Sequence, residues 1–524
     1  MRPRWCLPLL PLLFAGLALA DGPADNLPDK VRPIPKPGII VPQRDRAELE
    51  QELAALGKDI EALRTALKSK PALLELLPDV EVFHKAVRYA LQYNEFFSDK
   101  EIPVAKALLK QGRERAAALR DGQAPWAAQT GLVVRGYVSK IDGSVQPYGL
   151  VVPASYRPDS PYKHRLDLWW HGRGETLSEL NFINQRQRSP GEFAPRDAFV
   201  LHPYGRYCNA NKFAGEIDTF EAMDHVKKHY RIDDNRIVAR GFSMGGAACW
   251  QFAVHYPDVW AAAAPGAGFS ETADFLKVFQ QEKLQPTWYE QKLWHLYDCT
   301  DYALNLFNCP TVAYSGENDS QKQAADMMAR ALEAEGIKLT HIIGKRAKHH
   351  YTPEAKAEIN RRMDRLAELG RRPVPEAVLF TTWTLRYNRA YWVRVDGLEK
   401  HWSRAEVLAN LGYGTPVVKT KNVSALTLVI PPGDWKVFNP SLRKSLQDLL
   451  PGPEVPPSPE GQPAPKAHLD QQRTKRKGLV GPRLIIDGTN LDGPPVQSDR
   501  SWTVHLRKID GNWKVVDSPD DGTL

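Results

Sequence analysis

The spacing of apolar residues predicts three regions of different structure. Between residues 45 and 122 apolar residues recur every three or four positions, the period of an amphipathic helix. The first such stripe comprises Leu49, Leu53, Leu56, Ile60, Leu63 and Leu67. Two more helices are expected over 80–97 and 103–119. We interpret residues 45–125 as a helical cap or brace, with a dimerising coiled coil as the alternative.

After Trp126 the period changes to the alternation of β-strands, and Asp142-Gly143 is typical of a hairpin turn. Farther along, apolar strands alternate with helical segments up to about residue 370. This order predicts a mostly parallel sheet covered by helices on both faces, the α/β class with an α/β-hydrolase layout.

Residues 371–524 return to alternation and predict a β-rich C-terminal domain. Its aromatic residues either pack inside a sheet, which a period of two favours, or form a platform that stacks on sugars. They are Trp383, Tyr391, Trp392 and Trp402. Residues 451–478 are dense in proline, glutamine and charge, which predicts a disordered insertion.

The N-terminus adds a prediction about location. Arg2 and Arg4 precede an apolar core that ends in a small-residue cleavage pattern at Ala20, as in a signal peptide covering residues 1–20. The core is too short to span a bilayer. We therefore expect an exported protein without a membrane anchor, periplasmic or extracellular, with a proline-rich leader over residues 21–44.

Charge and cysteine content narrow the possible partners. The formal net charge is +8, but basic and acidic residues are interspersed, so no nucleic-acid partner is inferred. Four cysteines follow the signal, and an oxidising compartment permits disulfides. Cys299 and Cys309 are the easiest pair; four free thiols are the alternative, which we prefer for Cys249. Oligomeric state is not indicated.

A candidate nucleophile lies between a strand and a helix. The segment 241–246 reads Gly-Phe-Ser-Met-Gly-Gly and follows the apolar run 236–240. Glycines flank a serine in this way at a nucleophile elbow, the crowded turn that lifts the hydroxyl above the sheet. Ser243 is therefore the expected nucleophile.

A serine nucleophile needs a base and an orienting acid, which this fold supplies later in the chain. The strand at 310–314 leads into a loop that contains Glu317 and Asp319, and we favour Asp319 as the acid. The next loop contains His349 and His350. Spacing alone leaves either histidine as the base.

Backbone amides must also stabilise the oxyanion of an acyl-transfer reaction. We expect them from Met244, directly after the nucleophile, and from Arg173, within the glycine-flanked turn 171–174. The loops after two strands supply the expected substrate contacts, Tyr204, Arg206 and Glu175. The arginines can instead form local ion pairs, with Glu175 for Arg173 and Glu216 for Arg206.

Together the segments 171–174, 204–207, 241–246 and 315–319 with His349 resemble the prolyl oligopeptidase-like branch of α/β-hydrolases, in particular secreted bacterial serine peptidases of planctomycete type. The resemblance implies Ser243 as nucleophile, Asp319 as acid and His349 as base. It also implies peptide cleavage. Prolyl oligopeptidases carry a β-propeller before the hydrolase domain, whereas the region before residue 126 here is predicted to be helical.

The sequence thus predicts a serine hydrolase that acts on peptides or, as the alternative, a carboxylesterase that acts on acylated carbohydrate. A third alternative is an inactive glycan-binding protein. No cofactor or metal is expected, because the triad needs none.

Overall fold

The computed structural model describes residues 35–279, 281, 283–412, 414–435 and 481–519. The predicted signal peptide, most of the leader and the predicted insertion 451–478 lie outside these residues. Within the described residues, no helix has the length and apolar character needed to cross a bilayer.

In the described part of the chain, four α-helices precede the first strand. They are α1 (Gln43–Ala66), α2 (Pro71–Leu74), α3 (Pro78–Gln92) and α4 (Glu101–Arg120). The predicted stripe on α1 packs against α3 and α4 of the same chain, with Leu49, Leu56 and Leu63 buried. The apolar period therefore reflects packing inside one molecule.

The central sheet of the described chain has eight strands in the order β1-β2-β4-β3-β5-β6-β7-β8. Strand β2 is antiparallel to both of its neighbours, β1 and β4, and the neighbouring strands in the series β4-β3-β5-β6-β7-β8 are parallel. Their bounds are β1 (Gly131–Val138), β2 (Val145–Val152), β3 (His164–Trp170), β4 (Ala198–Pro203), β5 (Ile232–Phe242), β6 (Ala262–Gly266), β7 (Val312–Gly316) and β8 (Thr340–Gly344).

Helices cover both faces of this sheet. They are α5 (Glu179–Arg186), α6 (Ala214–His229), α7 (Met244–His255), α8 (Ala273–Phe279), α9 (Trp288–Trp294), α10 (Lys322–Ala334) and α11 (Pro353–Leu369). On β5, Val238 packs toward α11 and its neighbour Ala239 packs toward α7, as the alternation of side chains along a strand requires. The predicted α/β-hydrolase fold is confirmed.

A buried carboxylate joins the helical region to the sheet. Asp79 on α3 is almost fully buried and accepts hydrogen bonds from Arg135 Nε on β1 (2.8 Å), Trp126 Nε1 (2.9 Å) and the Gly136 amide (2.8 Å). Burial alone raises the pKa of this carboxyl, but the Arg135 guanidinium outweighs it and holds the pKa below its usual value.

In the described residues after 371, the strands form two five-stranded sheets, in the orders β10-β11-β14-β17-β18 and β16-β15-β13-β12-β9. Both contribute to one apolar core, so they form a sandwich. The strands are β9 (Ala377–Thr382), β10 (Arg389–Ala390), β11 (Val393–Leu398), β12 (Ala405–Asn410), β13 (Val417–Lys421), β14 (Val423–Ile430), β15 (Arg483–Ile486), β16 (Thr489–Asp492), β17 (Trp502–Ile509) and β18 (Asn512–Val516).

The aromatic residues of this domain take up different positions. Trp392 is buried. Trp383 stacks on His295 of the hydrolase domain, with ring centroids 3.8 Å apart. The Tyr391 hydroxyl donates to the Asn308 carbonyl (3.2 Å), and the Trp402 amide donates to the Trp383 carbonyl (3.1 Å). Packing thus accounts for most of the set, and three of the four lie at or beside the junction with the hydrolase domain.

The expectation that Cys299 and Cys309 are the easiest disulfide pair is wrong, because Cys208, Cys249, Cys299 and Cys309 are all free thiols. Cys299 begins the helical turn Cys299–Phe307, and Cys309 follows its end. The nine residues of this element, with a kink at Tyr302, separate the two thiols along the chain.

Candidate active site

Ser243 occupies a strained turn between β5 and α7. Its φ of 58° and ψ of −123° are unfavourable for a residue with a side chain, and its amide is held by the Gly266 carbonyl at 2.8 Å. The flanking glycines leave room for this turn. A Cβ on Gly241 would lie 2.0 Å from the Gly245 oxygen, and one on Gly245 would lie 2.0 Å from the Trp170 oxygen.

A carboxylate and an imidazole meet in the loops after β7 and β8. His349 Nδ1 lies 2.8 Å from Asp319 Oδ2. The other Asp319 oxygen accepts the Gln321 amide at 3.0 Å. The Asp319 side chain is only 3% exposed, whereas that of His349 is 38% exposed, so the imidazole remains within reach of solvent and substrate.

The competing carboxylate is engaged elsewhere, and the competing histidine has its hydrogen bond through the backbone. Glu317 accepts the backbone amide of Arg346 at 2.7 Å. His350 is exposed, and its carbonyl accepts the Tyr314 hydroxyl. The geometry therefore pairs Asp319 with His349 and leaves Glu317 and His350 outside the pair.

The imidazole lies beside the elbow. The rings of His349 and Phe242 have centroids 4.8 Å apart, and Phe242 directly precedes Ser243. Tyr351 packs on Phe242 at the same separation. Sequence reasoning missed Phe242 and Tyr351, although each directly adjoins a candidate residue, Ser243 or His350.

The turn 171–174 passes close to the serine. A Cβ on Gly172 would lie 3.7 Å from the Ser243 Cβ. His171 anchors the turn, because its ring nitrogens lie 2.9 Å from the Gly172 carbonyl and 3.0 Å from the Tyr204 carbonyl. Burial lowers the pKa of His171. The backbone amides of Arg173 and Met244 thus come from the two segments that flank the nucleophile.

The predicted substrate contacts are largely engaged within the protein. Tyr204 is buried, and its hydroxyl donates to the Leu177 carbonyl. Arg206 donates to Asp218, to Ser139 and to Asp142, rather than to Glu216. Their role toward substrate remains a prediction.

Arg173 and Glu175 form an ion pair of 2.6 Å at the surface, as the local alternative anticipated. Next to them, Cys208 Sγ contacts both the amide (3.2 Å) and the carbonyl (3.1 Å) of Gly174. Cys208 thus fixes the end of the turn 171–174.

Apolar side chains cluster against the start of α7. Ala210, Met244 and Ala247 are buried there, with Phe269 and Cys208 partly buried against them. This cluster lies directly beside the amide of Met244.

The elbow, the pair of loops and the mostly parallel sheet define a serine hydrolase with the α/β-hydrolase fold. Residues 209–368 match the model of the prolyl oligopeptidase family. This segment, which contains the elbow and both loops, is therefore similar to the prolyl oligopeptidase family. No match was found among curated proteins.

Solved structures are similar over less than half of this chain. A putative dipeptidyl aminopeptidase IV from Bacteroides ovatus ATCC 8483 is 11% identical (TM-score 0.36), over 48% of this chain and 37% of that one. A fluorophosphonate-binding serine hydrolase of Staphylococcus aureus is 18% identical (TM-score 0.35), over 46% of this chain and 99% of that one. An acylaminoacyl peptidase of Pyrococcus horikoshii is 14% identical (TM-score 0.34), over 46% and 42%.

Proposed function

We propose that this protein is an exported serine peptidase that cleaves peptide bonds in the manner of prolyl oligopeptidases, through Ser243, Asp319 and His349. The observation that carries the proposal is the 2.8 Å contact between Asp319 Oδ2 and His349 Nδ1. It joins two loops that are 30 residues apart and both within the segment matched by the family.

In this mechanism Asp319 accepts the Nδ1 proton of His349, which fixes the tautomer with Nε2 free to act as base. His349 takes the proton of the Ser243 hydroxyl as its oxygen attacks the carbonyl carbon. The same imidazole then protonates the leaving amine, and an acyl-enzyme remains on Ser243. Water, deprotonated by His349, releases the acid and restores the serine.

The tetrahedral intermediates carry a negative oxygen. The amides of Met244 and Arg173 are the proposed donors to it, since they belong to the two segments that flank Ser243. Loss of one such donor typically costs about 10²–10³ in kcat.

The second candidate is a carboxylesterase that acts on acylated carbohydrate. What favours it is the region before the hydrolase domain: from residue 35 to residue 125 the structure has helices, whereas a propeller that admits only short peptides would require four-stranded blades.

A matched pair of proline peptide substrates distinguishes the two candidates, one with an anilide and one with an aryl ester leaving group. We expect kcat/KM to be measurable on both and lost in Ser243→Ala. Amides demand efficient protonation of a poor leaving amine by His349. Ester turnover without anilide turnover would reject the peptidase and support the esterase.

Export is tested separately. Expression of the full chain with its first 20 residues should yield a processed protein whose N-terminus is Asp21, found outside the cytoplasm. An unprocessed protein retained in the cytoplasm would contradict this part of the proposal.

A further inference from the structure

A cavity of about 530 Å³ lies at the junction of the hydrolase domain and the C-terminal sandwich. Its walls come from α6, from the end of α7 and from the segment 386–389. Because His255 ends the 12-residue helix that Ser243 precedes, the cavity is ~18 Å from the nucleophile at a rise of 1.5 Å per residue. It is therefore separate from the catalytic site.

The walls of this cavity are more basic than acidic. Four cationic side chains line it, Lys227, Arg371, Arg386 and Arg389, with the carboxylates of Asp234 and Asp258. Lys227 pairs with Asp234 at 2.6 Å and Arg386 pairs with Glu216 at 2.8 Å, which leaves Arg371 and Arg389 for a ligand. Arg389 is 68% exposed and lies 3.5 Å from Asp258, a separation too long for a strong hydrogen bond. Its guanidinium is thus available to a second anion.

Arg371 has hydrogen-bonding capacity to spare. One terminal nitrogen donates to the Asn235 side chain at 3.1 Å, and the guanidinium lies over the Tyr391 ring. Its Nε is buried without a hydrogen-bond partner. A guanidinium offers donors in a planar fork that matches a carboxylate or a sulfate.

The cavity wall also contains a polar ring without partners. His255 is 1% exposed, and neither of its ring nitrogens has a hydrogen-bond partner. Burial, assisted by the charges of Lys212 and Arg386, lowers the pKa of His255 well below its usual value. The imidazole is therefore neutral, with one donor and one acceptor that the protein leaves unpaired.

Aromatic rings supply the remaining surface. Phe220, Tyr256 and Tyr387 line the cavity, and Tyr387 stacks on His255 with centroids 3.7 Å apart. Apolar ring faces with a few convergent polar groups are typical of small-molecule sites, which also favour domain junctions.

We propose that this cavity binds an acidic saccharide, a sugar that bears a carboxylate or a sulfate. The charged group pairs with Arg371 and Arg389, the sugar ring packs on the aromatic faces, and its hydroxyls reach the polar side chains of the wall. The site is distinct from the one that performs hydrolysis and does not depend on which bond is cleaved.

Calorimetric titration of the full chain tests this proposal, with glucuronate, glucose 6-sulfate, glucose and inorganic sulfate as probes. We expect glucuronate to bind at least tenfold more tightly than glucose and than sulfate. If glucose bound as tightly as glucuronate, the charged group would contribute nothing to binding. If sulfate bound as tightly as glucuronate, the sugar would contribute nothing. Absence of glucuronate and glucose 6-sulfate binding would overturn the site altogether.

Variants locate the binding. Arg371→Gln and Arg389→Gln should each weaken glucuronate binding at least tenfold and leave ester turnover unchanged. Arg361→Gln is the matched control, because Arg361 is an exposed residue of α11 paired with Glu358 and does not line the cavity. Should Arg371→Gln fold poorly, the exposed Arg389 still decides: unchanged affinity in Arg389→Gln would contradict the proposed contact.

Discussion

At the scale of single residues, the spacing of residues in the sequence did not decide which carboxylate orients the imidazole. Asp319 and Glu317 are two positions apart in one loop, and either can reach an imidazole in an extended chain. In the folded loop Glu317 instead accepts the Arg346 amide, which leaves Asp319 against His349.

This difference predicts unequal effects of two similar substitutions. Asp319→Asn should lower kcat about 10³–10⁴-fold, because an amide no longer holds His349 in the productive tautomer. Glu317→Gln keeps an oxygen for the Arg346 amide and should change kcat less than about tenfold. Measurement of kcat for ester hydrolysis by both purified variants checks this prediction. Equal losses of kcat would mean that the choice of Asp319 as the acid is wrong.

A second residue couples stability to pH. Burial raises the pKa of Asp298 to about 7, although a hydrogen bond from Thr272 acts in the opposite direction. The unfolded carboxyl ionises near 4, so the folded state binds more protons between these values. The contribution of Asp298 to stability is therefore present below about pH 4 and is lost as the pH rises to about 7.

Asp298→Asn removes this titration. We expect the free energy of unfolding of the variant, relative to the parent protein, to rise between pH 4 and pH 7 and then level off. Urea unfolding at several pH values measures it. A difference that stays constant across that range would contradict the raised pKa.

At the scale of elements, α7 is held at both ends. Its start is the elbow, and its far end joins the C-terminal sandwich through Glu216 of α6. This fully buried carboxylate accepts hydrogen bonds of 2.7–3.0 Å from Gln251, Tyr256, Arg386 and Tyr387. The helix that follows the candidate nucleophile is thus braced by a domain that contributes no residue to the candidate triad.

Removing one donor of this cluster should have a measurable cost. Tyr387→Phe leaves a lone pair of a buried carboxylate unpaired, and we expect it to lower the free energy of unfolding by about 1–3 kcal/mol. Tyr93→Phe is the control, because Tyr93 is 57% exposed. Equal effects of the two substitutions would show that the buried hydrogen bond contributes nothing.

The elements differ in how far the sequence predicted them. β14 has the predicted bounds, Val423–Ile430, because a run of eight residues rich in apolar and β-branched side chains is typical of a strand. The elbow was predictable because its tight turn leaves no room for a Cβ at the flanking positions, which therefore must be glycine. The contacts of Trp383 and Glu216 were not predictable from the sequence. Each depends on partners dozens of residues away or more, and the spacing of apolar residues does not identify such partners.

At the scale of the whole molecule, the added domains attach to different parts of the hydrolase. The helical region packs on the antiparallel side, where Asp79 meets Arg135 on β1. The sandwich contacts Asn305 and Asn308, which directly precede β7. Ser243, Asp319 and His349 all follow the C-terminal ends of parallel strands. The sandwich therefore contacts the N-terminal side of these strands, and the candidate triad lies at their C-terminal side.

The helical region should depend strongly on its buried ion pair. Asp79→Asn leaves Arg135 uncompensated, and we expect a loss of about 3–5 kcal/mol in the free energy of unfolding. Asp59→Asn breaks a surface pair with Arg120 of similar length, 2.9 Å, and should cost at most about 1 kcal/mol. Urea unfolding compares them, and similar losses would contradict the weight given to burial.

The position of the sandwich has a practical meaning for handling the enzyme. A solid support attached at position 514, on the edge strand β18 of the sandwich, would be held by the domain that contributes no residue to the candidate triad. Beads coupled through a cysteine introduced there should retain the turnover of the free enzyme even toward bulky substrates. A loss of turnover confined to bulky substrates would mean that the support blocks access to the candidate active site.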